Sequence, residues 1–326
     1  MYFCFIKLKR QGWDRKWWWD VWGYKMKPIV ELWTEFDFYK NGGTDLEFEK
    51  GNGKAAENGN APSNALSFDE TLQQLEQKII EGKIQKRDLK LRLDGPVIYF
   101  YEGKLPSLFA GIKFGATSYL EWKEDVARTP EESQRLQQKG EQVHRDYGYY
   151  FSRGLGVTVI PMTADNQVIV GIRISEDYDG AVHGAAGWLT FSSDFSAINS
   201  SLRPRNEGLR ELEEELAVQR KEVKRMDLMG LVAYPHTLES DFVYLARLQS
   251  SKPAEYFVSG AWKQAVDARE HRDLIVLSTP DELYQLVNEG KSPQDRRKFE
   301  VLASTAYGLT QLAEKWKEVT EHSKRG

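Results

Sequence analysis

The run Arg210-Glu211-Leu212-Glu213-Glu214-Glu215-Leu216-Ala217-Val218 concentrates more chemistry than any other stretch of the chain. Positions three and four apart share one face of a helix, so Glu211, Glu214 and Glu215 converge on one edge. Leu209, Leu212, Leu216 and Val218 then fall on the core side. Carboxylates crowded on one turn repel one another and need a neutralising partner. Arg210 can pair with one of them, and hard oxygen donors of this kind suit Mg²⁺ or Mn²⁺. The plain alternative is a solvated acidic helix face, the commoner fate of a charge run.

Weaker candidates surround this stretch. Glu207, one turn before Glu211, either extends the acidic face or simply favours the helix N-terminus through the dipole. Glu239 and Asp241 precede a strand and could reach a metal. His183 and His236, in loops, could touch phosphate, and Lys113 and Arg173 could do so from strands. Tyr119 and Trp188 could stack on a base, although buried aromatics more often serve packing. For the loop and strand residues the ordinary alternative is a solvated side chain.

Composition excludes several other classes of site. The 326 residues hold 45 Lys+Arg against 49 Asp+Glu, a formal net charge of −4, which argues against a nucleic-acid partner. One cysteine, Cys4, excludes a disulfide framework and a cysteine-rich zinc site, and the five histidines form no HExxH pattern. The compartment reads as reducing, most simply the cytoplasm. Hydrophobic residues at 40% and charged residues at 29% suit a soluble protein with a sizeable core. No run approaches the ~20 apolar residues of a membrane span, and the apolar opening stops at Lys7, too short for a secretory signal.

The elements that must position the acidic helix are readable from pattern. Ser67 and Glu70 form a capping box for a helix to about residue 83, and Thr129-Pro130-Glu131-Glu132 starts a second helix ending near Gly140 or His144. Leu89 to Phe114 is strand-like, interrupted at Asp94-Gly95-Pro96 and Gly103. Gly154–Pro161 and Gln167–Ile174 form a hairpin around Ala164-Asp165-Asn166. Ser175 to Arg205 reads as irregular, and the charged helix spans about Asn206 to Arg220. Strands follow near Met226–Ala233 and Phe242–Leu248, then a short helix near Trp262–Ala268 and a strand at Leu274–Leu277. A helix capped by Thr279 and a final helix from about Ser292 to Val319 complete an α+β chain.

Three regions result. Residues 1–26 form an aromatic and basic leader, with six tryptophans in the first 33 residues. It could be an interfacial anchor or a stacking surface, or an ordinary extension outside the fold. Residues 27–150 form an N-terminal α/β region with a flexible loop at 41–66. Residues 151–320 carry the acidic helix.

The acidic stretch resembles the second half of the Nudix box, Arg-Glu-aliphatic-x-Glu-Glu-x-Gly-aliphatic, with Ala217 where glycine is usual. Gly184-Ala185-Ala186-Gly187-Trp188 resembles the glycine-rich loop before the box helix. Gly187 lies 23 residues before Arg210, where the standard pattern has 14, so the resemblance implies an insertion of about nine residues within Ser192–Arg205. Gly111 to Tyr119, with Thr117-Ser118-Tyr119, is similar to a segment of the animal UDP-glucose pyrophosphatases of Nudix type, whose box is divergent and expanded. The resemblance covers residues 88 to 310. It implies a Nudix-like α/β/α sandwich with a mixed sheet, plus the N-terminal α/β extension. It implies Mg²⁺ or Mn²⁺ on Glu211, Glu214 and Glu215, with Glu214, Glu215 and Arg210 in catalytic roles. Tyr119, Arg173, Gly187 and Trp188 would meet a small-molecule nucleotide, a UDP-sugar cleaved to UMP and sugar 1-phosphate. It also allows a homodimer, a surface the N-terminal region could instead cover. A catalytically weak nucleotide-sugar sensor and a passive interaction scaffold are the alternatives.

Overall fold

The computed structural model describes residues 77–78, 80–83, 117–144, 146–175, 178–190, 204–234, 236–249, 253–293 and 297–321. It also describes the backbone of 19–21, 24–26, 28–31, 48–50, 89–99, 109–116 and 322–323. In chain order the first strands are β1 (Trp19–Val21), β2 (Tyr24–Met26), β3 (Pro28–Glu31), β4 (Phe48–Lys50), β5 (Leu89–Tyr99) and β6 (Phe109–Ser118). Helices α1 (Tyr119–Ala127) and α2 (Pro130–His144) follow. The central strands are β7 (Leu155–Met162), β8 (Val168–Arg173), β9 (Val182–His183) and β10 (Ala185–Trp188), followed by helix α3 (Pro204–Leu216). Then come β11 (Val223–Ala233), β12 (Ser240–Leu248), α4 (Ala254–Val258) and β13 (His271–Leu277). Helices α5 (Pro280–Glu289), α6 (Ala303–Glu314) and α7 (Trp316–Ser323) close the described chain. No helix among the described residues is long and apolar enough to cross a membrane.

The main sheet has eight strands, six of them in the order β13-β8-β7-β12-β11-β3, with β9 paired to β8 and β10 to β7 off this path. Only β7 and β12 run parallel; the other pairs are antiparallel. Strict alternation decides which side chains face which layer. On β12, Phe242, Tyr244, Ala246 and Leu248 join Leu209, Leu212 and Leu216 of α3 in one core. Val243 and Leu245 turn the other way, onto Leu283 and Leu286 of α5 and Ala306, Leu309 and Leu312 of α6. The protein is therefore α+β, with a mixed sheet between two helical layers.

The hairpin β7–β8 is split. Its two strands share a single register pair, Met162 with Val168, beside the turn where Asn166 takes φ 63°. They then splay, and the gap is filled by β9, which pairs with β8, and β10, which pairs with β7. Residues 182–183 and 185–188 are thus strand, not the irregular chain that the sequence pattern implies for Ser175–Arg205. Pieces of two and four residues carry no readable period, and the wedge between the splayed strands supplies their partners.

Two further expectations are corrected. Asp94-Gly95-Pro96 does not break the chain into two strands: β5 runs through it, with a bulge between Leu93 and Gly95 that accommodates glycine and proline. The last helix begins at Ala303, not near Ser292, and it is interrupted at Lys315. Before it the backbone is satisfied as extended chain. The Phe299 N–H donates to Gly290 O at 2.8 Å, Val182 N–H to Glu300 O at 2.7 Å, and Leu302 N–H to Val182 O at 3.0 Å. Phe299 and Val301, two apart, are both buried. The short helix expected at Trp262–Ala268 is instead two 3₁₀ turns, Ala261–Gln264 and Ala268–Glu270. Residues expected to form the capped helix from Ser67 and most of the 41–66 loop lie outside the described residues, apart from β4 and the helical pair Gln77–Lys78 with Ile80.

Candidate functional site

Helix α3 lays its apolar positions on the sheet as its spacing requires, with Leu212 fully buried. The same face brings Glu211 and Glu215 inward, 6% and 1% exposed. Glu214 points to the rim, its side chain 30% exposed. Arg210 runs along the outside of the helix and pairs with three carboxylates, not one: Glu207 at 2.6 Å, and Glu211 and Glu214 in closer contact. Burial, with the neighbouring charge of Glu215, pushes the Glu211 carboxyl up to about 9 despite Arg210.

The wedge strand β10 closes over these acids. A Cβ added at Gly187 would collide with the Glu211 carboxylate, so glycine there permits backbone and carboxylate to touch. One residue earlier, the Ala186 N–H donates to Glu215 Oε1 at 3.1 Å. The other oxygen of Glu215, Oε2, lies 2.7 Å from His271 Nε2 at the start of β13. Gly187 is seated against Glu211, and most of the chain between β10 and α3 lies outside the described residues.

Helix α3 ends where the Nudix pattern has glycine. Ala217 adopts φ 56°, and the N–H groups of Ala217 and Val218 return to Glu213 O at 3.2 Å and Leu212 O at 3.1 Å. The helix ending survives the missing glycine, with an alanine in the left-handed region.

A second polar group lies on the opposite face of the sheet, against α6. The Thr158 hydroxyl is 3.0 Å from Asp241 Oδ2, 2.8 Å from Ser304 Oγ and 3.2 Å from His183 Nε2. The Tyr234 hydroxyl adds Asp241 Oδ2 at 3.3 Å and Ser304 Oγ at 3.0 Å. Arg173 lies 3.1 Å from His183 Nδ1 and donates to Glu270 at 3.0 Å. Guanidinium can only donate, so His183 accepts at Nδ1 and carries its proton on Nε2. Burial first, then the charges of Arg173 and His271, hold its pKa well below the usual histidine range. Burial likewise raises Asp241.

The aromatic candidates form a third group. Tyr119 stacks on Trp122 with centroids 5.2 Å apart, and Trp188 meets Trp122 edge-on at 5.4 Å. Trp122 donates its indole N–H to Glu239 in a close bond, which ties α1 to the turn before β12. Trp188 also lies against Gly154, where a Cβ would strike its ring.

The structure therefore brings Arg210, Glu211, Glu214, Glu215 and Gly187 together. Arg173 joins His183 and Glu270, while Tyr119 and Trp188 join Trp122. The side chain of Lys113 lies outside the described residues. His271, Thr158, Ser304, Tyr234 and Trp122 are contributors that sequence reasoning missed. For His271 a signal existed: Gly171, an isolated glycine in the apolar strand β8, marks a close approach.

In chemical kind the acids of α3 suit a small hard cation, since two buried carboxyl groups lie one helical turn apart with a third, Glu214, at the rim. In arrangement, no group of three or more His, Cys, Asp or Glu side chains among the described residues is set to hold a metal ion. The Arg210 guanidinium instead neutralises Glu207, Glu211 and Glu214.

No family model matches the chain, and no curated protein matches it. Among solved structures, a putative Nudix hydrolase from Listeria monocytogenes is 18% identical, with TM-score 0.31, covering 51% of this chain and 96% of its own. The Nudix domain of NrtR from Shewanella oneidensis, complexed with ADP ribose, is 16% identical, with TM-score 0.32, covering 56% and 97%. A Nudix hydrolase from Nitrosomonas europaea is 14% identical, with TM-score 0.29, covering 68% and 88%. At scores this low the likeness carries no weight for activity.

Proposed function

We propose that the chain is a Nudix-type pyrophosphatase that hydrolyses a nucleoside-diphosphate-linked compound. The substrate we favour is a UDP-sugar such as UDP-glucose, cleaved to UMP and sugar 1-phosphate. The observation that carries the reading is the pair Glu211 and Glu215, buried side by side on one turn of α3 and covered by the backbone at Ala186 and Gly187. The resemblance of the Arg210–Val218 stretch to the second half of the Nudix box supports it.

In the reaction, water adds to one phosphorus and the bridging P–O bond breaks, releasing a monophosphate on each side. Mg²⁺ or Mn²⁺, held by Glu211 and Glu215 with Glu214 as a third donor, would supply neutralisation of the phosphoryl oxygens and activation of the water. Glu214, at the rim, is placed to orient water. Arg210 holds the carboxylates of α3 in one array, and its release from Glu211 and Glu214 is required before all three can turn to a cation. Tyr119 and Trp188 offer an aromatic surface for the base, whereas Arg173, bonded to His183 and Glu270, would meet a phosphate only by leaving those partners.

A nucleotide-sugar sensor without turnover is the second reading, favoured by the engagement of three carboxylates by Arg210. A panel of nucleotide sugars with Mg²⁺ decides between them, with phosphate-containing products measured for wild type and Glu215→Gln. Turnover lost in the variant supports the hydrolase. Binding without turnover in the wild type supports the sensor.

A further inference from the structure

We propose that Asp179 is a site of spontaneous isomerisation to isoaspartate, and that Arg272 restrains it. The site lies in the turn from β8 to β9 and does not depend on the acids of α3.

Asp179 precedes Gly180, and no other Asp-Gly or Asn-Gly pair has its acidic or amide side chain among the described residues. The chain folds back here. Arg173 N–H donates to Ala181 O at 2.8 Å, and Ala181 N–H donates to Tyr178 O at 3.1 Å, which closes a turn over Asp179 and Gly180. Gly180, third in that turn, takes φ 79°, a conformation that a side chain would strain. A Cβ built on it would meet nothing within 4 Å, so no protein atom crowds the Gly180 backbone on that side. The Asp179 side chain is 56% exposed, and water reaches its carboxyl.

The step needs no partner but water. The Gly180 backbone nitrogen attacks Cγ of Asp179 with the carboxyl in its acid form. A C–N bond forms, and the amide proton and the carboxyl hydroxyl leave as water, which gives a five-membered succinimide. Water then adds to either ring carbonyl. Breaking the bond from Gly180 N to Cγ restores aspartate. Breaking the bond from Gly180 N to the main-chain carbonyl carbon of Asp179 leaves the chain running through Cγ, as isoaspartate. The water lost on closure returns on opening, and nothing is oxidised or reduced.

Two contacts oppose closure. Arg272 Nη2, on β13, donates to Asp179 Oδ1 at 3.0 Å and to Oδ2 at 3.1 Å, so neither oxygen can leave without breaking a bond to that strand. Gly180 N–H donates to Arg173 O at 3.0 Å, which engages the proton that must also leave. The second contact belongs to the main chain, and the first depends on one side chain. Both partners of the ion pair are exposed, and pairs of that kind are weak, so Arg272 slows the isomerisation without abolishing it. The turn lies between Arg173 and His183, which meet at 3.1 Å. An isoaspartyl link adds one atom to the main chain between them and should loosen that contact.

The test ages the full chain at neutral pH and physiological temperature. The peptide carrying Asp179 is then read by electron-transfer fragmentation, which separates isoaspartate from aspartate at equal mass. Reading by peptide keeps the pairs at Asn41, Asn52 and Asn58, each followed by glycine, out of the count. Wild type is expected to accumulate isoaspartate at 179, and Arg272→Ala to do so about 2–5-fold faster, the range that an exposed ion pair can supply. High salt screens such a pair, so it should speed the wild type likewise and leave Arg272→Ala unmoved. That comparison decides should the variant not fold. Asp179→Asn, which closes the ring with loss of ammonia, should convert faster still, and Asp179→Glu, which would need a six-membered ring, should not convert. If Asp179→Asn yields no isoaspartate, the turn forbids ring closure and the site is overturned. If isoaspartate forms at one rate in wild type, in Arg272→Ala and at high salt, the restraint by Arg272 is overturned.

Discussion

The backbone of Gly187 touches the carboxylate of Glu211, and no side chain fits between them. Substitution by alanine must therefore move either β10 or the acid it covers. Gly187→Ala is expected to lower stability by about 1–3 kcal/mol through overpacking. Because β10 also carries the Ala186 N–H, the same change should loosen Glu215. Chemical denaturation and Mn²⁺ titration of the variant check this together, and an unchanged unfolding midpoint would contradict the contact.

Ala217 ends α3 with φ 56°, a conformation in which a Cβ is strained by about 1–2 kcal/mol. Ala217→Gly should relieve that cost, offset in part by greater freedom of the unfolded chain. A net gain of about 1 kcal/mol, read as a higher Tm, is the expected outcome. The acids of α3 precede this position and should keep their arrangement, so any activity should persist. A Tm that falls would mean that Ala217 is not left-handed.

How much of this was legible in advance depends on what kind of regularity each part has. Leu209, Leu212 and Leu216 repeat at helical spacing, and Thr129 and Thr279 each stand before proline and acidic residues. α3, α2 and α5 could thus be placed to within a few residues. The convergence of Glu211 with Glu215 follows from the same spacing. What escaped is whatever depends on contacts distant in sequence. β9 and β10 exist because β7 and β8 splay, and a two-residue strand has no period of its own. Phe299 and Val301 were absorbed into a helix because the partner that makes them extended, Val182, lies more than a hundred residues earlier. His271 reaches Glu215 of α3 from β13, and the one hint of a close approach, Gly171 on β8, names neither residue.

Asp125 makes a pH prediction whose sign can be worked out. Its carboxylate accepts from Ser152 N–H at 2.7 Å and Ser152 Oγ at 2.6 Å, and it pairs with Arg128 at 2.5 Å. Burial nevertheless outweighs these partners and pushes it up to about 6, with Glu121 adding to the rise. A carboxyl that binds its proton more tightly folded than unfolded favours the folded state at low pH. That contribution is lost as pH rises from about 4 to about 6, by about 3 kcal/mol in full. Asp125→Asn should flatten this part of the stability profile. A variant with the same slope as wild type across that window would assign the loss to another group.

Trp122 ties α1 to the turn that leads into β12 through its indole N–H and Glu239. Trp122→Phe keeps most of the ring packing against Tyr119 and Trp188 but removes the donor. The expected cost is about 1–3 kcal/mol, since Glu239 is buried and would be left without this donor. Hydrogen exchange of the amides from Tyr234 to Asp241 is the discriminating measurement. Faster exchange confined to that turn fits a broken tether, whereas uniform acceleration would point to a general loss of packing.

Arg210 is the counter-charge that makes three carboxylates of α3 tolerable when no cation is bound. Removing it should expose the competition between guanidinium and metal. Arg210→Ala is expected to be less stable than wild type without divalent ions, by about 1–3 kcal/mol for lost bonds to charged groups. Mg²⁺ or Mn²⁺ should then restore the variant more than it raises the wild type, because the ion no longer has to displace an arginine. A ligand at a hundred times its dissociation constant adds about 2.7 kcal/mol, enough to offset the loss. Thermal unfolding of both proteins across a Mn²⁺ series reads the effect directly. If the ion raises Tm in neither, the acids of α3 hold no cation, and the hydrolase reading goes with them.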